Sequence, residues 1–81
     1  MVSIRVQLFA QYAEQVGRNV VDVEVAAPAT VGALVARLRA DHPAASIPAT
    51  PLVAVNLTQA RPADPVNAGD EVALLPPLAG G

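Results

Sequence analysis

"LTQARPADPV", residues 57–66, decides the fold. Pro62 and Pro65 lack a backbone N–H, and their rings clash with the preceding helical turn, so no regular helix crosses this stretch. At most a short edge strand fits. Upstream, "TVGALVARLRADHP" at residues 30–43 has the opposite character. Val31, Leu34, Val35 and Leu38 recur at i, i+3, i+4 and i+7, one apolar helix stripe. Arg37, Arg39 and Asp41 lie off it. Thr30 stands at the N-cap position, where its hydroxyl can accept from a free backbone N–H. Pro43 disfavours helical geometry at His42, so the helix should end near Ala40 or Asp41.

Strands flank this helix on both sides. In "VSIRVQLF", residues 2–9, Val2, Ile4, Val6 and Leu8 alternate with Ser3, Arg5 and Gln7. That is the period of a half-buried strand. "NVVDVEV", residues 19–25, repeats the pattern with Val21, Val23 and Val25 against Asp22 and Glu24, and should pair with the first. Between them, "AQYAEQVG" makes a short helical turn closing on Gly17. "LVAVN", residues 52–56, reads as a largely buried strand, "NAGD" as a turn that uses Gly69 at positive φ, and "EVALL" as the last strand. A ferredoxin-like arrangement needs a second full helix, and the prolines remove its place. The order predicts an α+β fold of β-grasp type, a mixed sheet of four to five strands covered by one main helix. Residues 1–75 form the domain, and residues 76–81 a flexible, extended C-terminal tail.

Composition narrows the function. The 81 residues make one small domain, and 53% of them are hydrophobic, too many for a disordered chain. Only Phe9 and Tyr12 are aromatic, so the core is aliphatic. With no cysteine there is no disulfide, thiolate metal site or cysteine nucleophile. The apolar runs are too short to span a membrane, and no signal-peptide pattern opens the chain. A cytoplasmic location is expected. The formal charge is −2 with no basic run, which speaks against nucleic acid as a partner. All basic residues are arginines, so no lysine is present to form a Schiff base.

Side-chain chemistry is sparse. His42 is the only histidine and precedes a proline at a helix end, which leaves no metal-ligand set. Asp70 and Glu71 flank a turn, and Asp22 and Glu24 share the wet face of a strand. The glycines are scattered, without a phosphate-cradling loop. What remains is the ending, "EVALLPPLAGG". Pro76 and Pro77 pre-set an extended path. Leu78 can anchor, and Ala79, Gly80 and Gly81 taper to a chain without bulk. Six extended residues reach roughly 20 Å, enough to carry a carboxylate down a narrow channel into a partner's active site. An α-carboxylate is ionised at neutral pH and must be activated, for example as an acyl-adenylate, before a sulfur nucleophile can turn it into a thiocarboxylate.

On these residues the chain resembles the MoaD family of ubiquitin-like sulfur carriers, the small subunits of molybdopterin synthase. "GDEVALLPPLAGG" at residues 69–81 is similar to the family's C-terminal signature. "LFAQYAEQVG" at 8–17, "TVGALVARL" at 30–38 and "AVN" at 54–56 are similar to its first turn, helix and third strand. The related thiamine-pathway carriers share the Gly-Gly end but usually lack the two prolines. The resemblance implies that Gly81 is adenylated by an ATP-dependent activating enzyme and converted to a thiocarboxylate, with Gly80 giving access. It implies sulfur donation to cyclic pyranopterin monophosphate inside a large subunit, in a heterotetramer, with no cofactor bound to this chain. The expected docking residues are Phe9, Leu75, Pro76, Pro77, Leu78 and Ala79, with Phe9, Leu75 and Leu78 as an apolar patch. The competing reading of Phe9 is that it is simply core. Two departures bear on docking: Ala13, where the family commonly has a basic residue, and Leu74 and Leu75, where it often has aromatics. Other readings are a carrier for thiamine, cysteine or tRNA thiolation or for protein conjugation, and an interaction module with an inert tail.

Overall fold

The computed structural model describes residues 1–77. Strand β1 (Val2–Leu8) pairs antiparallel with β2 (Val20–Val25), with Ile4 opposite Val23 and Val6 opposite Val21. Ile4, Val6, Leu8, Val21, Val23 and Val25 are all buried. Ser3, Arg5, Gln7, Asp22 and Glu24 face solvent, as a period of two requires. Helix α1 (Ala10–Val16) joins the two strands. It ends at Gly17, whose φ of 84° is left-handed and whose N–H donates to the Ala13 carbonyl at 2.8 Å. Tyr12 points inward and is among the largest buried side chains, so the aliphatic core holds one aromatic.

After the two-residue strand β3 (Ala29–Thr30) comes helix α2 (Val31–Asp41). Thr30 Oγ1 accepts from the Ala33 N–H at 3.2 Å, the anticipated cap. Val31, Leu34, Val35 and Leu38 are buried, and α2 packs across β2. The helix stops at Asp41, where the pre-proline position does not favour another turn. Arg39 Nε donates to the Ile47 carbonyl at 2.9 Å, and the Ser46 N–H donates to Gln15 Oε1 at 2.9 Å. These bonds hold the following loop down, and Ile47 joins the core from it.

The chain then forms β4 (Leu52–Val55), β5 (Thr58–Ala60), β6 (Pro65–Val66) and β7 (Val72–Leu75). The main sheet runs β2-β1-β7-β4-β5, with β7 parallel to β1 and antiparallel to β4. β3 and β6 pair separately, Thr30 opposite Pro65. This is a mixed five-stranded sheet with one main helix, an α+β β-grasp fold.

Residues 57–66 differ from the expectation in detail. They hold two short strands, β5 on the edge of the main sheet and β6 against β3, where at most one was expected. Pro65 fits because it opens β6, where a missing donor is tolerated. The turn between these strands also serves α2. The Val31 N–H donates to the Asp64 carbonyl and the Gly32 N–H to the Pro62 carbonyl, both at 2.9 Å. Two otherwise orphaned N–H groups of the first helical turn are thereby satisfied. The approach is close enough that a Cβ on Gly32 would lie 3.2 Å from the Pro62 oxygen. No helix among the described residues is long and apolar enough to cross a membrane.

Candidate functional site at the base of the tail

β7 is a central strand, flanked by β1 and β4, so the chain leaves for its last residues from the middle of the sheet. Val72 and Leu74 point into the core, and Ala73 and Leu75 take the opposite face. Leu75 is directly opposite Leu52 on β4. On the other side, Leu8 is level with Leu74, so Phe9 falls level with Leu75. Phe9 has φ −127° and ψ 154°, continuing the strand geometry, and therefore lies on the solvent face. It is 43% exposed and outside the core. Phe9, Leu75 and Leu52 thus make an apolar row at the end of the sheet from which residues 76–81 depart. Behind it the register sets Val20, Gln7, Ala73 and Ala54 side by side.

The solvent face is graded. Its far end holds a polar cleft of about 490 Å³ lined by Ser3, Arg5, Asp22, Asp70 and Glu71. There Arg5 Nε pairs with Asp22 at 3.4 Å, with both side chains well exposed. Such a pair is worth well under about 1 kcal/mol. Pro76 is half-buried and Pro77 exposed. Pro77 also lines a larger groove, about 850 Å³, between α1, the start of α2 and the β4–β5 edge. Tyr12, Val35, Pro51, Leu52 and Ala60 make its walls mostly apolar, and Arg61 supplies a charge at it. Leu78, Ala79, Gly80 and Gly81, the remaining residues singled out from the sequence, lie outside the described residues.

No group of acidic, cysteine or histidine side chains that could hold a metal occurs among the described residues. The turns are well supported. Gly69 has φ 93°, and the Asp70 N–H donates to the Asn67 carbonyl at 3.1 Å. Asp70 Oδ2 accepts from the Asn67 N–H at 2.8 Å.

One surface residue escaped sequence reading. Leu57, between β4 and β5, is 91% exposed and has φ 70°, and Asn56 before it has φ 51°. Two positive φ values in a two-residue hairpin loop indicate a type I′ turn, which favours Asn-Gly. A branched residue there costs about 1–2 kcal/mol relative to an ordinary conformation. The signal that could have found it is "VNLT", a hairpin loop with leucine in the glycine position.

The comparisons agree with this geometry. A molybdopterin synthase sulfur carrier subunit from Chlamydomonas reinhardtii is 39% identical over 83 aligned positions, covering 99% of this chain and 100% of that protein. The crystal structure of small archaeal modifier protein 1 from Haloferax volcanii superposes with a TM-score of 0.84 at 32% identity, covering 96% of this chain and all of that one. A putative molybdopterin converting factor subunit 1 from Pyrococcus furiosus has a TM-score of 0.82 at 20% identity, covering 96% of this chain and 100% of that one, which bears on the fold alone. The ThiS family model matches residues 6–81, so it spans the apolar row, the central strand and the Gly-Gly end together, and the chain belongs to the ThiS family.

Proposed function

We propose that this chain is the sulfur-carrying small subunit of a molybdopterin synthase, with the carboxylate of Gly81 as its reacting group. The observation that carries the reading is full-length similarity to a molybdopterin synthase sulfur carrier subunit at 39% identity. The Pro-Pro-Leu-Ala-Gly-Gly ending, which follows a central strand, supports it.

The proposed chemistry needs little from side chains. An ATP-dependent enzyme binds the carrier, and a Gly81 carboxylate oxygen attacks the α-phosphorus of ATP. Pyrophosphate leaves, and the carbonyl becomes an acyl-adenylate. A sulfide-level donor then adds to that carbonyl and expels AMP, leaving a thiocarboxylate. The tail next enters the large subunit, where its sulfur attacks a carbon of cyclic pyranopterin monophosphate and displaces the oxygen substituent of that carbon, which leaves with the bonding electron pair. Water cleaves the resulting carbonyl–sulfur bond, which leaves sulfur on the pterin and restores the carboxylate. Glycine suits both steps because no Cβ hinders approach to the carbonyl. Phe9, Leu75 and Leu52 provide an apolar centre for the large subunit, of the kind that dominates binding energy at interfaces. Pro76 and Pro77 aim the tail and reduce the entropy lost when it is held. The working assembly in this reading is a cytoplasmic heterotetramer.

Intact-mass analysis tests the reading. After incubation with ATP, the activating enzyme and a sulfur donor, the mass should rise by one oxygen-to-sulfur exchange. The loaded chain with its large subunit should then convert cyclic pyranopterin monophosphate. An unchanged mass would point to an inert tail. The similarity to small archaeal modifier protein 1 favours a second reading, attachment of Gly81 to lysines of other proteins. Branched Gly-Gly remnants on lysines after digestion of cell extract, without pterin conversion, would replace the first reading by the second.

A further inference from the structure

The groove of about 850 Å³ between α1, the start of α2 and the β4–β5 edge takes no part in the chemistry proposed above. Tyr12, Val35, Pro51 and Leu52 make it apolar, and Arg61 is the one charged side chain among the described residues that line it. Arg61 is exposed. The ion pairs among the described residues are Arg5–Asp22 and Arg37–Asp41, and Arg61 joins neither. Asp64, the acidic residue nearest to it in sequence, is not among the lining residues, and its Oδ2 accepts the Arg61 backbone N–H at 2.8 Å. An apolar groove with a single cation suits a short, apolar, extended segment that ends in an anion.

The chain itself supplies such a segment. Pro77, where the described residues end, lines the same groove, and Leu78, Ala79, Gly80 and Gly81 follow it. The span is short. Leu52 is opposite Leu75, and Val53 is opposite Ala60, so Arg61 falls level with Leu52, two strand spacings or about 10 Å from Leu75. Four extended residues reach roughly 13 Å from Pro77. The α-carboxylate at their end is ionised at neutral pH. A segment tethered this closely meets the groove at an effective concentration on the order of millimolar, so weak contacts are enough to hold it. We infer that the groove is an intramolecular binding site for the tail, with Leu78 seated against Pro51 and Leu52 and the Gly81 carboxylate on the Arg61 guanidinium. The inference shares with the carrier reading only the free carboxylate at Gly81. If that carboxylate carries sulfur, the thiocarboxylate is an anion too and is held in the same way. A partner must then draw the tail out before acting on its carbonyl, and its apparent affinity falls with the fraction of tails that are bound.

Nuclear magnetic resonance on the full chain tests the inference without any enzyme, so its outcome is independent of sulfur loading. Backbone order parameters of Gly80 and Gly81 should exceed about 0.6, the level below which a segment counts as flexible. Leu78 methyl protons should show cross-relaxation to Pro51 and Leu52. Arg61→Gln keeps the backbone N–H that Asp64 accepts and removes only the charge. In that variant, and separately in Leu78→Ala, the order parameters should drop below about 0.6 while the thermal midpoint stays unchanged. Values already below that level in the unsubstituted chain would overturn the inference. So would undiminished order in Arg61→Gln, or an ordered tail whose Leu78 contacts lie elsewhere. Order that disappears on dilution would also overturn it, because the groove would then hold the tail of a second copy.

Discussion

At the scale of single residues, the least bulky positions have the sharpest consequences. Removing Gly81 should abolish sulfur loading while leaving the thermal midpoint unchanged, since glycine has no side chain to bury. Intact mass and a melting curve check both halves, and retained sulfur transfer would contradict the carrier reading. Gly32 is held by a close approach. A side chain there meets the Pro62 carbonyl, which is itself bonded to the Gly32 N–H. Gly32→Val should cost about 1–3 kcal/mol, as overpacking does, and urea unfolding would show it as a lower midpoint at constant m-value. Tyr12 is the opposite kind of residue, a large side chain at 1% exposure, and is one reason α1 stays seated on the sheet.

At the scale of elements, the apolar row depends on neighbouring strands keeping register. Phe9, Leu75 and Leu52 come from three strands and are far apart in sequence, yet the pairing sets them level. Phe9→Ala should therefore lower affinity for the large subunit by about 10-fold or more, in the manner of an interface anchor. Because Phe9 is outside the core, stability should change by less than about 1 kcal/mol. Calorimetric titration beside a melting curve separates the effects. Intact binding with lowered stability would mean that Phe9 packs inward. The helix cap offers a second comparison. Thr30→Ala removes the acceptor of the Ala33 N–H and should cost about 1 kcal/mol without affecting sulfur loading.

At the scale of the whole molecule, stability comes from one aliphatic core between α2, α1 and one face of the sheet. The ion pairs Arg5–Asp22 and Arg37–Asp41 are both on the surface. Raising salt from dilute buffer to about 1 M should change unfolding free energy by less than about 1 kcal/mol from these pairs, since exposed pairs contribute little and are screened. A large loss of stability in salt would show that these pairs had been undervalued. The sheet face has its own division, with the apolar row at the tail end and the polar cleft of Arg5, Asp22, Asp70 and Glu71 at the opposite end.

Much of this was legible in the sequence. Alternation fixed the faces of β1 and β2, the four apolar positions from Val31 to Leu38 fixed the buried side of α2, and Pro62 and Pro65 excluded a second long helix. These signals are local: each depends on side-chain period or on the covalent limits of proline, and here the tertiary contacts agree with them. Tertiary structure alone decided where the remaining groups met. Ile47 enters the core from a loop because Arg39 holds its carbonyl, and the proline-bounded turn that prevents a helix also caps α2 through the Pro62 and Asp64 carbonyls. Phe9 turned outward because the strand continues through it, and only the parallel pairing of β1 with β7 set it level with Leu75. Leu57 reads as an ordinary leucine until the hairpin assigns it a left-handed backbone. Sequence determined the elements and the chemistry of the ending. Long-range pairing determined which side chains share a surface, because register brings together residues that no local pattern connects.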